Sequence, residues 1–258
     1  ALSAYGYRAQ YYSHQGAVLK AVGEGKKAYK YYKKGKEFKE EHNEFYFMTG
    51  LFNYYIEQYP ENHPIIKPMM GFFEKGNKEE GLAQLDYASK HALFTQGSAY
   101  MYISYLYTKF ESNYEKSIYY TGKFHKMNPK NTLNKSNYIL ALLFNKNYEV
   151  ALPYINSLKK EQSEFFLIAY HLYNGWYALE KNKDLKTALT QFEIVELLAQ
   201  KNKDITTDFV ALANYKRAQA YEELKLYDDA KNFYKLALNE SSFEEIKNAY
   251  KELQENKR

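Results

Sequence analysis

From Ala211 to Asn239 the chain reads ALANYKRAQAYEELKLYDDAKNFYKLALN, with small and aromatic residues three or four positions apart in each half (Ala218 and Tyr221; Ala230, Tyr234 and Ala237). That spacing puts them on one face of a helix, and the polar run between Tyr221 and Tyr227 divides the stretch in two. The pattern predicts two antiparallel helices joined by a short turn. Where they cross closely only a small side chain fits, so Ala218, Ala230 and Ala237 are expected at contact points, with Tyr221, Tyr234 and Leu224 filling the space beside them.

The same pattern recurs upstream in KGNKEEGLAQLDYA, ESNYEKSIYYTGKF, NKNYEVALPYINSL and NKDLKTALTQFEIV. Each has a polar turn, then a small residue, then apolar residues at helical spacing. The anchoring small residues are Gly81, Ser117, Ala151, Ala188 and Ala230, at steps of 36, 34, 37 and 42 residues. HQGAVLKAVGEGKKAYK, with Ala21 in the matching place, is a further N-terminal copy. Ser3 to Leu19 reads as helix, as does Phe45 to Tyr59, which leads into a proline-rich connector, YPENHPIIKP. Pro153 removes a hydrogen bond from its helix without ending it. Phe243 to Asn256 reads as one charged amphipathic helix, as a terminal cap must be if one face meets water.

A repeat of about 34 residues with these small and aromatic positions resembles the tetratricopeptide repeat. Ala218, Tyr221, Ala230, Tyr234 and Ala237 stand where that family places its signature residues, and Tyr114, Ser117 and Pro129 resemble a second copy. The first helices of the Ala151 and Ala188 copies depart from the pattern: Trp176 follows Gly175, and the NKD turn carries an extra residue. The resemblance implies an all-α, right-handed α-solenoid of about six helical hairpins plus a C-terminal capping helix. It would form a single domain over 1–258, with divergent repeats in 1–63, clearer ones in 64–241 and the cap in 242–258.

In such an array the first helices line a concave surface. Residues offset from the packing stripe would then face a ligand, which makes Tyr102, Lys109, Tyr138, Tyr173, Tyr215, Gln219 and Glu222 the candidates. Family members that clamp a peptide carboxylate use Lys, Arg and Asn on successive first helices, whereas Tyr215 and Gln219 stand at those places here, so that clamp is not expected. Gly50 to Leu85 is also similar to bacterial envelope-associated tetratricopeptide proteins, which leans the expectation toward an exported protein whose leader has been removed.

Composition narrows the chemistry. The chain has no Cys, which excludes disulfides, thiol nucleophiles and thiolate metal sites. Its six His are scattered, no two at the spacing of a metal site on one helix, so no metal or cofactor is expected. There is no P-loop and no G-x-S-x-G elbow, and no small-molecule substrate is implied. No apolar run approaches the roughly 20 residues of a membrane helix. The net charge of +5 is modest, but KKAYKYYKKGKEFK concentrates Lys26, Lys27, Lys30, Lys33 and Lys34 with Lys36 and Lys39 among aromatic residues. The plain expectation is a solvated helix face with tyrosines packed inward. The alternative is a patch for single-stranded nucleic acid or anionic lipid. The leading expectation is a non-catalytic scaffold that binds a peptide or partner protein. A structural subunit of a cell-envelope or outer-membrane complex, peripherally membrane-associated, is the alternative.

Overall fold

The structure, a computed structural model, describes every residue except Lys39, Asn202 and the last three (256–258). Of His14, Lys203 and Asp204 it describes the backbone alone. Among the described residues it is all helical. The α-helices are α1 (Leu2–His14), α2 (Val18–Glu37), α3 (Glu44–Asn62), α4 (Lys78–His91), α5 (Gln96–Lys109), α6 (Tyr114–Met127), α7 (Thr132–Phe144), α8 (Tyr148–Leu158), α9 (Glu164–Tyr177), α10 (Leu185–Ala199), α11 (Lys203–Glu223), α12 (Tyr227–Glu240) and α13 (Glu244–Glu255). The expected helix over Ser3 to Leu19 is interrupted: Gly16 adopts a left-handed φ of 68°, which ends α1 and starts a turn. Of the expected connector, Pro60 lies inside α3, and Pro64–Phe72 forms a 3-10 helix.

Neighbouring helices pair, and the pairs share one local geometry. The six anchoring small residues, Ala21, Gly81, Ser117, Ala151, Ala188 and Ala230, are all buried, and each is the fourth residue of its helix. In each case the backbone N–H donates to the carbonyl four residues back, at the residue preceding the helix, over 2.8–3.1 Å. Two residues ahead of the helix stands a left-handed residue in five of the six turns: Gly16, Ser112, Lys146, Lys183 and Lys225. That conformation turns the chain sharply, and the N–H of the residue after it satisfies a carbonyl left open at the end of the first helix. Asn77, Asn113 and Asp184 complete three of the turns by accepting a backbone N–H of their own helix. The extra residue of the NKD turn is absorbed as a π-helical turn over Ala178–Asn182, so that the Asp184 N–H reaches back to the Ala178 carbonyl, 2.9 Å.

The chain divides into two compact units, 1–103 and 104–258, with the division inside α5. In the first unit, α1 packs on α2 and α3 on α4. The α3–α4 crossing is close at Gly50 and Gly81. In the second, α6 to α12 pack in sequence, and α9 also touches α7 and α11. First helices of successive hairpins are therefore in direct contact. Its core runs from Ile139 to Leu253, with Trp176, Tyr173, Phe192 and Tyr234 as large buried side chains. Ala218, Ala230 and Ala237 are fully buried and Tyr234 nearly so, as the spacing predicts; Leu224 instead is exposed. Pro153 sits within an unbroken α8. α13 turns Ile246 and Leu253 inward and most of its charges outward.

Candidate functional site

The second unit contains a cleft of about 490 Å³. Its walls are the end of α7 (Leu143, Phe144), Lys146, Tyr148 at the start of α8, Trp176 on α9, Leu179 and Glu180 of the π turn, Lys183, one face of α11, and Glu245 on α13. On α11 the lining residues are Tyr215, Lys216, Gln219, Glu222 and Glu223, at the spacing of a single helical face.

A polar chain runs along this face. Lys216 is buried and donates to Glu180 and, over 2.8 Å, to Gln219. Tyr148 also donates to Glu180. The Gln219 amide donates to the Tyr215 hydroxyl (3.0 Å), which donates in turn to Glu245 (3.3 Å). Glu245 receives a second hydroxyl from Tyr114 (2.8 Å), and Glu222 accepts one from Tyr234 (2.7 Å). The Lys216 ammonium lies 3.8 Å from the Trp176 ring centre and 4.6 Å from that of Tyr215, so two aromatic faces replace some of its lost hydration.

Burial disfavours charge throughout this chain of groups. It pushes the Lys216 ammonium down, against the pull of Glu180. Burial would likewise raise the Glu180 carboxyl, but the Lys216 charge and its hydrogen bonds overcome that and hold it below the ordinary range. The phenols of Tyr215, Tyr234, Tyr114 and Tyr148 are pushed up, by burial first and by the nearby carboxylates. They are neutral donors at physiological pH. Glu222 and Glu245 therefore face the cleft with phenols, and no cation among the described residues, as their hydrogen-bonding partners. Trp176 Nε1 is buried without an acceptor among the described residues.

Three of the sequence-derived candidates, Tyr215, Gln219 and Glu222, meet here; the other four do not. Tyr173 is 0% exposed: α9 is covered by α7, α10 and α11, and the hydroxyl bonds Ser136 at 2.9 Å, so it is a core residue. Lys109 is buried against Asp208 (2.8 Å) and the ring of Phe243, away from the cleft. Tyr138 stacks on His125 and packs over Gly122. Tyr102 bonds Gln10 at 2.9 Å in the first unit. Sequence reasoning missed Tyr148, Glu180, Lys216 and Glu245. Only Lys216 left a signal: it stands three residues after Ala213 and four before Ala220, both buried, where a charge must find a partner.

The basic run lies on α2. Lys26, Lys27, Lys30, Lys33 and Lys34 are exposed, while Tyr32 is buried and Tyr29 stacks on Phe52. Lys27 pairs with Glu24 at 2.8 Å. Lys30 and Lys34 make no ion pair among the described residues. Lys39 lies outside the described residues. Set against known proteins, the chain matches no family model, and no curated protein matches it.

Proposed function

We propose that the protein is a non-catalytic interaction scaffold, a tetratricopeptide-like solenoid that holds a segment of a partner protein, and that the cleft of the second unit is where the segment sits. What supports this is the cleft itself: aromatic walls at Tyr148, Trp176 and Tyr215, and carboxylates at Glu222 and Glu245 with no bonded cation among the described residues. Aromatic side chains offer contact area at small entropic cost. Lys216 is already engaged by Glu180 and Gln219, so it serves the wall rather than as a free nucleophile or base. A segment carrying a basic side chain fits this lining best.

Selection of peptides from a random library on the purified protein, followed by calorimetry against a Gln219→Ala/Glu222→Ala variant, tests the reading. Selected peptides enriched in Lys or Arg, with affinity lowered about tenfold or more in the variant, support it. Peptides that bind the variant as well as the parent, or no enrichment at all, overturn it.

A further inference from the structure

The excess positive charge of the protein is concentrated on one helix. α2 carries seven lysines against two glutamates, which equals the +5 of the whole chain, so the remainder is balanced. Lys26, Lys30 and Lys33 share one stripe of it. Beside that stripe lies the 3-10 helix Pro64–Phe72, which touches α2. Lys26 Nζ sits 3.9 Å from the ring centre of Phe72, and Tyr29 both meets Phe73 at 5.3 Å between ring centres and accepts the Glu74 N–H at 3.1 Å. The 3-10 helix carries large apolar side chains in solvent: Ile65, near its start, is 76% and Phe72, at its end, 67% exposed. Exposed Lys67 lies between them in the chain and exposed Lys75 follows, and the nearby acid Glu74 is taken by Lys36 at 3.3 Å.

Neither half of this surface accounts for the other if it only faces water. Lysines alone serve solubility, and isolated exposed apolar residues are ordinary. Lysines that make no ion pair among the described residues, beside exposed Ile and Phe, match the two layers of a bilayer interface, the anionic headgroups and the acyl boundary just beneath. A nucleic acid would meet the lysines and stack on Phe72, but has nothing for Ile65. We propose that this face of the first unit docks the protein on an anionic lipid surface, with Ile65 and Phe72 inserted and Lys26, Lys30 and Lys33 above them. The site is separate from the cleft, and so is its failure.

The test is sedimentation of the full chain with phosphatidylcholine vesicles, with and without roughly one-third phosphatidylglycerol, at about 0.1 M and about 1 M salt, between which the screening length falls from about 10 to about 3 Å. Two variants accompany it, Lys30→Glu/Lys33→Glu/Lys34→Glu and Ile65→Ser/Phe72→Ser, each first shown to keep the parent's circular dichroism and thermal midpoint. The expected result is binding to the anionic vesicles only, weakened by salt, lowered more than about a hundredfold by the charge reversals and about tenfold by the apolar pair. Absence of binding to anionic vesicles at low salt overturns the proposal. So does binding that ignores Ile65→Ser/Phe72→Ser, or a preference for poly(U) over the vesicles in competition.

Discussion

Gly50 and Gly81 face each other so closely that a Cβ on either would lie 2.8 Å from the other's carbonyl oxygen. The α3–α4 crossing is thus made backbone to backbone. Gly81→Ala gains about 1 kcal/mol of helix propensity yet must push the helix backbones apart, a change of the kind that costs about 1–3 kcal/mol. Gly23, in the interior of α2, has nothing within 4 Å of a built Cβ. Gly81→Ala is therefore expected to lower the denaturant midpoint, and Gly23→Ala to raise it by the equivalent of about 0.5–1 kcal/mol. Equal signs for the two would show that the crossing is not close.

The six anchoring positions are sterically alike but not chemically. Ser117 holds a buried hydroxyl 2.5 Å from that of Thr108, which is also bonded to the Ser104 carbonyl at 2.8 Å. Ser117→Ala leaves Thr108 its carbonyl partner, so the loss should stay within about 1 kcal/mol. Ala230→Leu has no space to use and should cost about 1–3 kcal/mol. Equilibrium unfolding of both variants checks the contrast.

The Lys216–Glu180 pair is predicted to matter more when halved than when removed. Lys216→Met strands a mostly buried carboxylate and should cost about 3 kcal/mol or more, whereas Lys216→Met with Glu180→Leu should recover some of that loss. A double-mutant cycle in urea measures the coupling. Additive losses would mean that the two charges do not depend on each other.

Glu44 accepts the N–H groups of Leu93, Phe94 and Thr95 at 2.6–2.9 Å, and the Thr95 hydroxyl at 2.8 Å. Burial works to raise its pKa, but these hydrogen bonds outweigh burial and hold the carboxyl below its ordinary 4.5. A depressed folded-state pKa means that the stabilisation is present above about pH 4.5 and is lost as pH falls through the lower, folded value. Protection of the Leu93, Phe94 and Thr95 amides, taken as exchange relative to an unstructured peptide at the same pH, should be high at neutral pH and fall on acidification. In Glu44→Gln protection should be low at both, and a variant with unchanged protection would refute the role given to this carboxylate.

The hairpins were legible in the sequence because their cause is steric and local. A helix crossing that admits only Gly, Ala or Ser leaves that residue at the same place in every copy, and all six places are buried. The cleft was half legible. Tyr215, Gln219 and Glu222 share a helical face that periodicity reveals, but Tyr148, Glu180 and Glu245 join them from three other helical segments, and Tyr and Glu are too common here for such a meeting to show in one dimension. Tyr173 lies on a comparable stripe of α9, yet that helix is covered by its neighbours. Periodicity tells which residues share a face and not which face is left open. The interruption at Gly16 was missed for a related reason, since the helical pattern continues across it.

Glu44 also bears on the order in which the first unit forms. Asn77, Asn113 and Asp184 cap helices that begin at the very next residue, so those caps close as soon as a turn nucleates. The N–H groups leading into α5 wait instead for a carboxylate up to 51 positions earlier in the chain. That contact needs a long loop to close, and its ordering entropy is spent before any hydrogen bond returns it. The start of α5 is therefore expected to settle after α3 and α4 have met at Gly50 and Gly81, and its formation reports that this pair is in place.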